Sequence, residues 1–313
     1  MPRPNPISFL KQSLKSDSYY ADEVINIYLL RPLAAVIVWL LYPTRVTPNQ
    51  VTVIAVAFGL AAALFYLSGT PGEVAVAGLL VTAKDVFDDA DGQLARLRAE
   101  TPARRTNSLT DGHSGVQARA KEMYSRRGRF LDSIGDFAVD LAVFSAITYA
   151  VWQTHPGLIT LVLGFLALLG ITLRVSYHVF YQVSFLHLKD RYTLNRIVED
   201  ITDEDRRGDR VAFRLQQIFL FIYGWQDRLM YRLDKWCRRE VLSDNFLSGW
   251  YSNRFALRLS GLLGFGTEFA LLTLCSLFNE LYLYLLLNVF LMNGIWLVGI
   301  LYRRVILAGR VNQ

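Results

Sequence analysis

Asp88-Asp89-Ala90-Asp91-Gly92-Gln93-Leu94-Ala95-Arg96 closes an apolar stretch that begins near residue 73. Gly128-Arg129-Phe130-Leu131-Asp132-Ser133-Ile134-Gly135-Asp136 opens another that runs to about residue 153. Carboxylates at the ends of segments apolar enough to enter a bilayer are costly unless a cation or a partner neutralises them. Asp88 and Asp91 are three apart and Asp132 and Asp136 four apart, so each pair shares one helix face. Two such helices side by side converge four carboxylates. Oxygen-only ligands suit a hard cation, Mg²⁺ or Mn²⁺, over zinc or copper, and four carboxylates are enough for two ions. Gly92 and Ala95 carry almost no side chain, which lets a bulky ligand approach the backbone. Arg96 follows Gly92 by one turn and adds a fork suited to phosphate. Acids, metal, open backbone and arginine together describe a site for a nucleotide diphosphate.

The rest of the chain places that site in a membrane. Mean hydropathy is +0.27, 53% of residues are apolar and only 19% are charged, below the usual quarter. The net charge of +6 is spread over the connections between apolar spans, as on cytoplasmic loops, and does not describe a nucleic-acid surface. Cys237 and Cys275 give neither a disulfide framework nor a metal-ligand spacing. Met1 to Glu23 is polar and has no signal-peptide core.

Six spans are expected, near 48–68, 73–96, 127–153, 157–186, 254–278 and 281–302. Leu33 to Tyr42 is too short to cross a hydrocarbon core of roughly 30 Å and reads as an interfacial amphipathic helix. Thr47-Pro48-Asn49 reads as the start of the first span. Loops 69–72, 154–156 and 279–280 contain no Lys or Arg, whereas the other connections are basic. The positive-inside rule then puts both termini and both motif halves in the cytoplasm. The fold class is an all-α polytopic membrane protein, with a cytoplasmic N-terminal segment 1–47 and a six-helix domain 48–313. The connection 187–253 is cytoplasmic. Within it Arg228, Arg232, Lys235, Arg238 and Arg239 alternate with apolar residues. That mixture suits either a helix lying on anionic lipid or a solvated helix folded against the bundle.

The paired motifs resemble the signature of the CDP-alcohol phosphatidyltransferases, integral membrane enzymes of phospholipid synthesis. Asp88, Asp91, Gly92, Ala95, Arg96, Gly128, Asp132 and Asp136 fill its fixed positions. Between Arg96 and Gly128 stand 31 residues, Leu97 to Arg127. Removing Pro102 to Tyr124 restores the family's usual spacer, so 102–124 is expected to be an inserted, solvent-facing loop. The resemblance implies divalent ions on Asp88, Asp91, Asp132 and Asp136, with Asp136 as general base toward an acceptor hydroxyl. Gly92, Ala95, Arg96 and Gly128 would hold the nucleotide, with Asn49 and Thr52 as further cytidine contacts. The donor would be a CDP-lipid such as CDP-diacylglycerol, and the acceptor an alcohol or alcohol phosphate. The membrane would be the inner one in a bacterium, and the protein a homodimer. Two other activities fit the same residues: transfer from a CDP-amino alcohol to diacylglycerol, and passage of a divalent cation. An inactive relative is a third possibility.

Several charges lie outside the motif. Lys84, four residues before Asp88, can pair with it. Asp85 shares Asp88's face, whereas Asp89 points elsewhere. Asp140, Arg174 and Glu268 fall inside spans and must face a cavity or one another. Two readings of Arg174 stay open. With His178 and Tyr177 it can bind a phosphorylated acceptor, or it can form a buried pair with Asp140 or Glu268. Arg258, at the start of the fifth span, is another phosphate candidate.

Overall fold

The computed structural model describes residues 20–106, 126–188, 200–207, 209–239 and 243–310, and the regular elements among them are all helices. In chain order they are α1 (Asn26–Leu41), α2 (Pro48–Ser68), α3 (Pro71–Thr106), α4 (Arg126–Thr154) and α5 (Leu158–Leu188). After these come α6 (Asp203–Arg207), α7 (Arg210–Cys237), α8 (Asp244–Tyr251), α9 (Arg254–Gly261), α10 (Phe265–Leu277) and α11 (Leu281–Leu307).

Five segments are long and apolar enough to cross a membrane: α2, Gly128–Thr154 of α4, α5, the Asn245–Leu277 stretch and α11. The remaining expected span is α3. Its 36 residues suffice in length, but Glu73, Lys84, Asp85 and Asp88 remove it from the class defined by composition. α3 also continues through Thr106, so residues 102–106 extend a helix where a loop was expected; 107–124 lie outside the described residues.

Local chemistry explains the boundaries. Thr47 and Gln50 form a reciprocal capping box, with Pro48 in the first turn, and Gly69 ends α2 at φ 68°. Arg98 of α3 donates to the carbonyls of Leu41, Thr44 and Val46, fixing the turn between α1 and α2.

Small residues bring α2 and α4 together. A Cβ on Gly59 would sit 2.3 Å from Val139 Cγ1, and one on Gly135 would sit 2.8 Å from Val56 Cγ2. Each helix seats a valine of the other over a glycine, and Gly135 lies between Asp132 and Asp136. Above this contact Tyr66, Val74, Val143, Phe144, Ile147, Ile171, Leu272 and Tyr284 form the main apolar core. At the other end Leu30, Ala34 and Val38 of α1 pack on Val86, Ala90 and Leu94, the back of the motif helix. The outer face of α1 leaves Tyr28, Leu33, Val36 and Leu40 exposed, the pattern of an interfacial helix.

Two buried polar features shape the second half of the bundle. Arg174 is fully buried and donates to Glu268 Oε2 at 2.7 Å, Asn293 Oδ1 at 2.6 Å and the Asn288 carbonyl at 3.1 Å. Asn288 lies in a π-helical turn, Leu287–Met292, inside α11. Such a turn frees carbonyls from the helical ladder. Glu268 also accepts from Tyr284 at 2.9 Å and from Asn288. Of the arrangements left open by the sequence, Arg174 adopts the pair with Glu268.

The expected continuous span 254–278 is broken: residues 262–264 separate α9 from α10. Glu23 occupies the break. Its Oε2 accepts from the Thr267 N–H at 3.2 Å, and a Cβ on Gly264 would lie 2.0 Å from its Oε1. Beside it Asp22 pairs with Arg31 at 3.0 Å and accepts from Gln182 at 2.7 Å. The N-terminal segment is thus pinned across α5 and α10.

Burial pushes the Glu23 carboxyl from 4.5 up to about 7, against the backbone N–H groups of Thr267 and Gly266 that favour its charge. A carboxyl raised on folding stabilises the folded state fully below its unfolded pKa, and that stability is lost as pH rises through the folded one. The apparent melting temperature is expected to fall between about pH 5 and about pH 8. Glu23→Gln should flatten that slope; an unchanged slope in the variant would refute the assignment.

Candidate metal and nucleotide site

α2 packs against both α3 and α4, and across it the side chains of the two motif halves face each other. One carboxylate oxygen from each of Asp88, Asp132 and Asp136 lies within 4.8 Å of the other two. Asp91, a turn further along α3, accepts a hydrogen bond from the Thr52 hydroxyl of α2. Thr52 is therefore engaged with the acid cluster, while Asn49 is exposed at the start of α2.

Lys84 stands under the cluster. It is 2% exposed, and its Nζ lies 2.7 Å from Asp136 Oδ1, 3.6 Å from Asp85 Oδ1 and 4.0 Å from Asp88 Oδ2. The pairing expected with Asp88 is thus the longest of three, and the shortest reaches across to α4. The rings of Phe265 and Phe269 lie 5.6 and 5.8 Å from the ammonium. One ammonium cannot balance Asp85, Asp88, Asp132 and Asp136, and Asp132 Oδ1 is buried with no hydrogen-bond partner. The oxygen donors, their convergence and the orphaned oxygen fit a hard divalent cation held by Asp88, Asp132 and Asp136.

The nucleotide candidates lie on the same helices. A Cβ on Gly92 would meet nothing closer than Arg96 Nη1, at 3.5 Å, so the backbone there is open toward the guanidinium. Arg96 is exposed, and Ala95 beside it is buried at 7%. Gly128 sits half-buried in the first turn of α4. Asp89 faces away from the cluster, beside Gln93 and the Arg31 end of α1.

Beside Asp136 opens a cavity of about 230 Å³. Arg129, Ser133, Asp136 and Asp140 line it from α4, Thr172 and Ser176 from α5, and Tyr223 and Asp227 from α7. Tyr223 donates to the Ser133 carbonyl at 2.9 Å. The acceptor candidates read from the sequence are elsewhere. Arg174 is closed in its pair with Glu268. His178 Nε2 faces Glu23 Oε1 at 4.0 Å. The Arg258 guanidinium lies 5.6 Å from the ring of Tyr20. Arg129 was hidden in plain view as a variable position of the second motif half. Tyr223 and Asp227 come from a helix almost ninety residues further on, and no local pattern marks them.

Residues 105–193 match a family model described as CDP-alcohol phosphatidyltransferase. The matched segment contains Gly128, Asp132 and Asp136 and begins after Asp88 to Arg96, which the long spacer separates from it. No curated protein matches the chain. The family match supports phosphatidyl transfer from a CDP-alcohol in lipid biosynthesis, and the Asp88, Asp132 and Asp136 cluster accords with a divalent-cation requirement.

Lys84→Met should expose how much the ammonium neutralises. Removing one member of a buried ionic cluster costs about 3–5 kcal/mol. The apparent melting temperature should fall in chelator, and Mg²⁺ or Mn²⁺ should recover part of the loss. A variant as stable as the parent in chelator would contradict the arrangement.

Proposed function

We propose that the chain is a membrane phosphotransferase that moves a phosphatidyl-type group from a CDP-lipid, CDP-diacylglycerol in the simplest case, to an alcohol or alcohol phosphate, releasing CMP. The observation that carries this reading is that Asp136 belongs to both the carboxylate cluster and the cavity beside it. One side of that carboxylate faces a candidate metal position, and the other faces a chamber large enough for a small polar acceptor.

Asp88, Asp91, Asp132 and Asp136 would hold Mg²⁺ or Mn²⁺, two ions on the donor count. Such ions neutralise a pyrophosphate and the charge that grows on a departing nucleotide. Arg96 supplies a planar fork for a phosphate, and the open backbone at Gly92 lets the nucleotide lie close against α3. Asp136 accepts the proton of the acceptor hydroxyl as its oxygen attacks the phosphorus next to the lipid. The bond from that phosphorus to the CMP oxygen breaks, and CMP leaves with the electron pair. Lys84, 2.7 Å from Asp136, orients the carboxylate and favours its charged form, the form a base needs.

In this reading residues 48–313 form one catalytic unit, α3 completes a set of six spans, and the site and both termini face the cytoplasm, where cytidine nucleotides are found. A homodimer accords with the resemblance. Two features disfavour a cation pathway. The clustered acids lie toward one end of the bundle, and Glu268, deeper in, is held by Arg174.

The test is CMP release by the purified protein with CDP-diacylglycerol and Mg²⁺ or Mn²⁺, across glycerol phosphate, inositol phosphate, inositol and serine. Acceptor-dependent CMP is expected, with Asp136→Asn lowering kcat by about 10²–10⁴. CDP binding without release would point to a CDP-amino alcohol donor or an inactive relative. Absence of CDP binding would remove the nucleotide site.

A further inference from the structure

α7 presents two unlike sides. Its inner side buries Gln216, Gly224, Gln226, Met230, Asp234 and Cys237. Its first turns run along α4, with Tyr223 beside Ser133 and Phe137, and the rest passes on to α5 and α11. The Phe219 ring lies 5.3 Å from Phe130, near the start of α4. Ser176 of α5 donates to Gln226 at 2.5 Å, and Met230 shares an apolar cluster with Tyr177 and Tyr181 of the same helix. The Trp236 carbonyl accepts from Arg304, near the end of α11, at 2.6 Å. A helix of 28 residues, roughly 42 Å long, therefore passes from α4 over α5 to the end of α11, starting beside the acid-bearing turns of α4.

Its outer side carries an exposed row at helical spacing: Ile218, Phe221, Trp225, Leu229 and Trp236, with Phe221 86% exposed. Arg232 stands within the row between Leu229 and Trp236, Arg214 precedes it by one turn, and Arg210 and Arg228 continue the exposed basic strip. The acids of α7 do not join them. Asp234 is fully buried and accepts from Trp250, Tyr251 and Arg238, and Asp227 lines the cavity at Asp136. The charge on the outer side is therefore positive along its length. A second copy of this face would meet its own cations, and water offers an exposed aromatic row nothing.

We propose that α7 lies in the plane of an anionic lipid surface. The Ile218 to Trp236 row enters the headgroup and acyl boundary, and the arginines reach lipid phosphates. The physical warrant is the pairing of an apolar row with a cationic strip on one helix. This does not depend on the transferase reading, because it concerns the outer side of α7 alone.

The test uses the full chain in lipid nanodiscs, with and without phosphatidylglycerol. Phe221→Cys and Gln217→Cys each receive an environment-sensitive dye, since Cys237 and Cys275 are buried; Gln217 is exposed on the polar flank. The label at 221 should be blue-shifted, lose its emission to a nitroxide carried on the lipid, and be shielded from aqueous iodide. The label at 217 should show the reverse. Combining Arg214→Gln, Arg228→Gln and Arg232→Gln should remove the part of the 221 quenching that depends on phosphatidylglycerol. Iodide access to both positions would overturn the proposal in favour of a solvated helix. Shielding of 221 from both quenchers would overturn it in favour of a protein cover, a second copy included. Lipid quenching indifferent to phosphatidylglycerol would overturn the anionic requirement.

Discussion

A single buried ammonium organises the heart of this protein. Lys84 touches Asp85, Asp88 and Asp136 at once, joining the two motif helices through charge. Charges in a low-dielectric bundle are tolerated only when they are compensated. α3 can therefore enter the bundle only with Asp136 of α4 reaching its lysine and α10 packed behind, where Phe265 and Phe269 face the ammonium. The remaining negative charge has no counterpart among these contacts, which turns an electrostatic burden into an affinity for a divalent cation.

Steric contact does what charge cannot. Acids brought close together repel, so attraction to one lysine does not define their separation. The Gly59–Val139 and Gly135–Val56 contacts set how near α2 and α4 can come. Gly135 lies within the acid-bearing turn itself. Thr52, on the same α2, then reaches Asp91 of α3. Three helices are thereby held in a fixed relation around the carboxylates, and the cluster is shaped by packing before any ligand arrives.

Much of this was legible in the sequence, and the reasons are local. The acid spacings, the Thr47-Pro48 helix start and the apolar periods depend on neighbours three or four residues away, which a chain displays openly. What escaped depends on distant partners. Arg174 carries the same signature whether it binds a phosphate or pairs with Glu268, and only the position of a helix ninety residues later decides. Glu23 sits in a polar N-terminal stretch that suggests nothing, yet it wedges the fifth apolar segment into two helices. The helix expected around Arg228 to Arg239 begins much earlier, at Arg210, because polar Gln216, Gln226 and Asp234 are satisfied inward. Their bonding partners lie on other elements. The cavity wall from Tyr223 and Asp227 was invisible for the same reason.

The seat of Glu23 has a consequence for the order in which the chain assembles. Glu23 and its Thr267 partner are 244 residues apart, so Glu23 leaves the ribosome long before the residue it locks against. Until Gly264 and Gly266 arrive, a carboxylate and the helix behind it must wait at the membrane surface. Long-range closures of this kind come late, because the loop entropy is spent before the contact rewards it. The amphipathic character of α1 then serves a second purpose. An interfacial α1 would hold the N-terminal segment at the bilayer boundary, within reach of a groove that does not yet exist.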